Sequence, residues 1–220
     1  MVDGACSPFR RSDSPWREIP VGRQERPRCD MRDFSLWIEP RVTQLQRLAG
    51  NEALTRACAL VTSTLAGGGK VLVFGNGGSA TQASHFAAEL VNRFGFDRPA
   101  LPAIALTVDA AVLTSIANDA RFETVFVRQI QALGRGGDVA VGLTTSGRSP
   151  NVLAGLRQAR AQGLATIALG GEYVRELAKL GLDVVVSIPC GETPIVQEMH
   201  LLILHRMAAE VEEKLFGGKR

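Results

Sequence analysis

The chain has 220 residues, 45% apolar and 21% charged, with 25 Lys and Arg against 22 Asp and Glu for a formal charge of +3. That length and composition suit one α/β domain with a large core, because chains of this size bury roughly 70% of the surface they expose when unfolded. The weak charge, 5% aromatics and lack of any apolar run near the roughly 18 residues of a membrane span exclude a nucleic-acid-binding stripe and a membrane protein, and point to small-molecule ligands.

The first 30 residues hold six Arg, five Asp and Glu, and Pro8, Pro15, Pro20 and Pro27, with no apolar core of the kind a signal peptide has. Proline at that spacing forbids a long helix, so residues 1–35 are expected to be a disordered extension, with Met31 a candidate start, and residues 36–220 a single domain. From Trp37 to Leu65 apolar residues recur at helical spacing with a break near Gly50 and Asn51. Gly67, Gly68 and Gly69 stop this pattern, and a short apolar run at 71–74 follows with the length of a buried parallel strand. Similar runs recur at 103–106, 139–143, 165–169 and 184–188. Between them lie helical patterns at 81–94, 110–117, 124–133, 151–162 and 173–180, and a closing helix covers 196–215. Buried strands alternating with helices predict an α/β fold, a five-stranded, mostly parallel sheet flanked by helices on both faces. Cys6, Cys29, Cys58 and Cys190 lie far apart, which fits a reducing cytoplasm and neither a disulfide framework nor a zinc finger.

In open α/β sheets ligands bind beyond the carboxyl ends of the strands. Two strand-to-helix loops stand out there. Gly75-Asn76-Gly77-Gly78-Ser79 exposes backbone N–H groups at a helix start, where a phosphate or polyhydroxy ligand can approach. Thr144-Thr145-Ser146-Gly147-Arg148-Ser149-Pro150 places four hydroxyls ahead of a helix, with Pro150 at a favoured first-turn position and Ser149 the expected N-cap. Each could be a mere tight turn, but two with this content favour binding of a phosphate monoester. The first loop also fits the dinucleotide pattern GxGxx(G/A). A nicotinamide site wants an acid about 20 positions on, whereas Asp109 lies 34 positions after Gly75, so the spacing counts against it.

His85 and Glu89, four apart on the helix after the first loop, share one face and can hold a metal, although such a pair alone is commonly a packing or solvated face. The closing helix adds Gln197, Glu198, His200 and His205 to an otherwise apolar segment. His205 is expected to be buried or partnered, and His200 structural or surface-exposed. Gln197 and His205 are eight residues apart, about 12 Å of helix rise, so they reach one ion only by leaning inward or from different subunits.

The stretches GNGGSATQASHFAAEL, RPALPAIALT, SIAND, TTSGRSPNV and QEMHLLILH together resemble the SIS (sugar isomerase) fold, and within it the bacterial phosphoheptose isomerases, over residues 41–215. That resemblance implies a three-layer SIS fold, conversion of sedoheptulose 7-phosphate to D-glycero-D-manno-heptose 7-phosphate, one Zn²⁺ per subunit and a homotetramer. It implies contacts to the sugar phosphate from Asn76, Gly77, Gly78 and Ser79, to sugar hydroxyls from Asn118 and Asp119, and to the phosphate from Thr144, Thr145, Ser146 and Ser149. The implied zinc ligands are His85, Glu89, Gln197 and His205, with Glu89 and Gln197 also near substrate. Ile195 departs from the family pattern, in which Arg is common.

Moving a carbonyl between C2 and C1 needs a base beside the carbonyl, an acid at oxygen and stabilisation of the enediol(ate) between them. Glu89 is assigned as the base and His205 as the acid or base at oxygen. A carboxylate on zinc is a weaker base, so the two roles of Glu89 compete. The rival reading is a non-catalytic SIS protein of the replication-initiator-associating type, whose corresponding positions lack the acid and the second histidine. The presence of both here favours an enzyme.

Overall fold

The structure is a computed structural model, and it describes residues 33–217. The expectations for residues 1–32, including the start at Met31, lie outside the described residues. A compact unit runs from Ile38 onward. Helix α1 (Phe34–Leu48) begins just inside the extension expected to end at residue 35. Helix α2 (Glu52–Ala66) starts on Asn51, whose side chain accepts a hydrogen bond from the Leu54 amide, an N-cap that places the predicted break.

The remaining elements alternate. They are β1 (Val71–Gly75), α3 (Gly78–Val91), β2 (Ala103–Ala105), α4 (Ala110–Asp119), a 3-10 turn (Phe122–Thr124), α5 (Val125–Leu133) and β3 (Val139–Thr144). Then come α6 (Pro150–Ala161), β4 (Ala165–Gly170), α7 (Arg175–Ala178), β5 (Val184–Ser187) and α8 (Thr193–Phe216). The helix expected over 173–180 shrinks to the four residues of α7.

The strands form one sheet in the order β2-β1-β3-β4-β5, and every pairing is parallel. Period-two alternation sorts the strand residues to two faces. Val71, Val73, Val139, Val141 and Leu143 join a core with α2, α3 and α8. Leu72, Phe74 and Ala140 join a second core with α5 and α6. The result is three layers, and the parallel strands read as continuous apolar runs because both faces are covered.

At the amino-terminal edge Asp138 accepts hydrogen bonds from the Lys70 amide (3.0 Å), the Lys70 ammonium (2.6 Å) and the Arg135 amide (2.8 Å). Burial works to raise its carboxyl, but these partners outweigh it and hold the group below the usual carboxylate range. At the opposite edge the strand order creates a crevice. The chain leaves β1 for β2 on one side and returns to β3 on the other, so the loops after β1 and β3 diverge at the topological switch point, where such sheets bind ligands.

Candidate active site

Both loops singled out in the sequence flank that crevice. Gly75 of β1 is in register with Leu143 of β3, which sets Asn76 beside Thr144. The Asn76 and Asn151 side chains exchange two hydrogen bonds of 2.8 Å, lashing the loops together. Asn151 is only 2% exposed. It falls within the TTSGRSPNV stretch, where the sequence assigns it no role, and its partner Asn76 spends its side-chain amide on this bridge. Gly77 has φ 54° with open space beside it, so the backbone there is accessible to a ligand. Gly78 lies under Gln197, where a Cβ would come 2.5 Å from the amide nitrogen. Ser79 is turned into the fold.

In the second loop the Thr144 hydroxyl lies 3.0 Å from that of Ser149 and 3.5 Å from that of Ser146. Ser149 occupies the expected N-cap position of α6 but makes no side-chain cap bond, because its hydroxyl is engaged by Thr144. Three hydroxyls therefore cluster at a helix N-terminus, a setting that favours an anion. Thr145 lies against the neighbouring loop, where a Cβ on Gly171 would come 2.0 Å from the Thr145 carbonyl oxygen. Arg148 stacks over the Tyr173 ring at 4.5 Å.

Helices α3 and α8 run side by side in the same direction, meeting first at Gly78 and Gln197 and then at His85 and His205. The Gln197 backbone carbonyl accepts from the Gln82 side-chain Nε2 (2.7 Å). Farther along, His85 Nε2 stands 3.0 Å from His205 Nε2 and 3.0 Å from Glu89 Oε1, and His205 Nε2 lies 3.4 Å from that oxygen. These three ligand atoms lie within 4.8 Å of one another. Glu89 Oε2 is buried without a hydrogen-bond partner. The Phe94 ring packs against His205 at 5.6 Å between centroids.

Three lone-pair donors this close repel unless a proton or cation lies among them. Ligand atoms roughly 2.0–2.1 Å from a tetrahedral zinc stand about 3.3 Å apart, so the cluster fits a divalent cation with little adjustment. Gln197 stays about two helical turns behind it in the same chain. His200 is fully buried and faces another way, so it is structural and not surface-exposed. Burial pushes its imidazole down to about 4, which keeps it neutral. Asn118 donates to Asp119 (2.8 Å), both near the end of α4. Asp109, the acid weighed for a dinucleotide, accepts from the Val112 amide as the α4 cap.

Residues 38–171 match the SIS domain family model. A phosphoheptose isomerase of Burkholderia pseudomallei is 46% identical over 170 residues, which is 77% of this chain and 84% of that protein. One from Geotalea daltonii is 49% identical over 161 residues, 73% of this chain and 83% of its own length. This chain belongs to the phosphoheptose isomerase family of SIS-domain proteins. It is accordingly an isomerase. The solved phosphoheptose isomerase of Neisseria gonorrhoeae superposes with a TM-score of 0.75 at 37% identity, covering 82% of this chain and 97% of that one. That of Francisella tularensis gives 0.77 at 34% identity, covering 82% and 96%. The three-layer SIS architecture read from the sequence is the architecture of this isomerase. No helix among the described residues is long and apolar enough to cross a membrane.

Proposed function

We propose that this isomerase interconverts sedoheptulose 7-phosphate and D-glycero-D-manno-heptose 7-phosphate through an enediol(ate). The observation that carries the reading is the Glu89 carboxylate, with one oxygen buried and unpartnered and the other beside two imidazoles, on the helix that starts at the ligand-binding crevice. Glu89 takes a proton from C1 of the open-chain ketose while His205 gives one to O2, producing the enediol. Glu89 then returns a proton to C2 as His205 takes one from O1, leaving the aldose. Thr144, Thr145, Ser146 and Ser149 hold the phosphate at the N-terminus of α6, and the backbone of the loop from Asn76 to Ser79, open at Gly77, lines the sugar.

His85, Glu89 and His205 would hold a Zn²⁺, with Gln197 as a further ligand. Bound zinc would supply Lewis-acid polarisation of the sugar oxygens. Within one chain Gln197 sits about 12 Å of helix rise from His205, so its share, like that of Asn118 and Asp119 at the end of α4, fits a site completed by a neighbouring subunit. Apolar surface supports such an assembly: Ile38, Val42, Leu45 and Leu202 are each about 40% exposed. Leu45 and Leu202 line a groove of about 540 Å³ with Leu54 and Cys58. A homotetramer working in the cytoplasm is the proposed form, with residues 36–220 as one SIS domain. Light scattering of active enzyme should give the mass of four chains, and a monomeric mass would overturn the shared site.

The function is tested by incubating the enzyme with sedoheptulose 7-phosphate, with and without chelator, and following the aldoheptose phosphate by NMR. No product in either arm refutes the reading, and product that survives chelation assigns Glu89 and His205 to proton transfer ahead of metal binding. For the phosphate loop, Ser146→Ala and Ser149→Ala should each raise KM by roughly 10- to 100-fold, since a hydrogen bond to a charged group contributes about 1.5–3 kcal/mol. Because the Ser149 side chain caps nothing, its variant should keep wild-type thermal stability. Unchanged KM in both variants would place the phosphate elsewhere.

A further inference from the structure

A buried ion pair outside the cluster of His85, Glu89 and His205 is tied to the backbone of the turn that carries Glu89. Arg98 and Glu212 have side chains 1% and 2% exposed, with Arg98 Nε donating to Glu212 Oε1 at 3.0 Å. The Arg98 guanidinium also donates to the carbonyls of Glu89 (2.6 Å) and Leu90 (2.7 Å). These are among the last carbonyls of α3, which have no intrahelical partner of their own. Glu212 accepts from the amides of Phe94 (2.7 Å) and Gly95 (2.8 Å). It lies seven residues beyond His205 on α8, two turns along the same face.

We infer that Arg98 and Glu212 are positioning residues that set Glu89 against His205. The pair joins the last turn of α3 to α8, and through the Phe94 amide it also places the ring that packs on His205. Stability alone does not account for it, because a buried ion pair can commonly be exchanged for well-packed apolar residues without loss. What apolar residues could not supply is directional bonding to the Glu89 carbonyl and to two successive loop amides. Catalysis is sensitive to such placement, since an error near 1 Å can cost about 100-fold in rate.

The inference rests on the assignment of Glu89 and His205 as the acid–base couple, and its test separates the two. Glu212→Gln and Arg98→Lys nearly preserve volume while weakening the fork. Each should lower kcat at least tenfold with KM within about twofold, weaken Zn²⁺ binding measured by dye competition, and shift the imidazole NMR signals of His85 and His205. Asp138→Asn, at the opposite edge of the sheet, is the control for lost stability and should leave kcat and those signals unchanged. If Glu212→Gln does not fold, Arg98→Lys decides alone. Wild-type kcat, zinc affinity and imidazole signals in a folded variant would overturn the inference, as would equal losses in the Asp138→Asn control. If the wild-type enzyme does not turn over the ketoheptose phosphate, the proposed function falls, and zinc affinity with the imidazole signals still judges the pair.

Discussion

Glu89→Gln should abolish turnover while leaving the fold in place. The substitution is nearly isosteric, and the side chain is 14% exposed, so packing against α8 survives. An amide oxygen can still accept from His85, but a carboxamide cannot take a proton from carbon. Loss of a general base typically removes a factor of roughly 10² to 10⁴, and here the buried, unpartnered oxygen is the group lost. His205→Asn should act similarly by removing the group proposed to serve the sugar oxygens. The measurement is kcat at saturating substrate, with thermal unfolding as the check on folding. Near wild-type kcat in either folded variant would refute the assignment of that residue, and a Tm lowered to the assay temperature would trace the loss to structure instead.

Gly147→Ala should produce the largest loss of stability in the hydroxyl loop between β3 and α6. Gly147 has φ +64°, a conformation that costs an L-residue roughly 1–2 kcal/mol, and an added Cβ would come 1.8 Å from the Tyr173 carbonyl oxygen. The backbone of the loop after β4 must then move, at a further cost of about 1–3 kcal/mol by analogy with overpacked sites. Gly163→Ala separates the two effects, because Gly163 has φ +79° with nothing within 4 Å of its added Cβ. Urea denaturation should show Gly163→Ala losing only the conformational part and Gly147→Ala distinctly more. The Gly147 variant should also bind the sugar phosphate more weakly, since the displaced segment braces the loop bearing Ser146 and Ser149. Equal losses at the two positions would mean that the close approach to Tyr173 carries no strain.

Much of this molecule is local in origin. The apolar runs that became β1, β3 and β4 are buried strands because a parallel sheet covered on both faces leaves no polar side to mark, whereas the run that became the edge strand β2 leaves Ile104 exposed. The glycine and hydroxyl loops belong at a binding edge because open α/β sheets leave the carboxyl ends of their strands uncovered. Where local signals mislead, a distant partner is the cause. Ser149 reads as a cap by position, yet its hydroxyl is taken by Thr144 from the end of β3. Asn151 reads as an ordinary first-turn residue, yet it fastens the other loop across 75 positions of sequence.

The alternating elements, the two strand-to-helix loops at the crevice and the pairing of His85 with Glu89 are all legible in the residues alone, because each depends on spacing within one element or one turn. The placement of α3 beside α8 is not, and the site depends on it. That neighbourhood brings His205 to His85 across 120 positions, leaves Gln197 two turns behind at Gly78, and buries Arg98 with Glu212. Residue spacing states which face of a helix a side chain occupies, whereas which helix that face meets depends on how the whole sheet buries its two apolar surfaces.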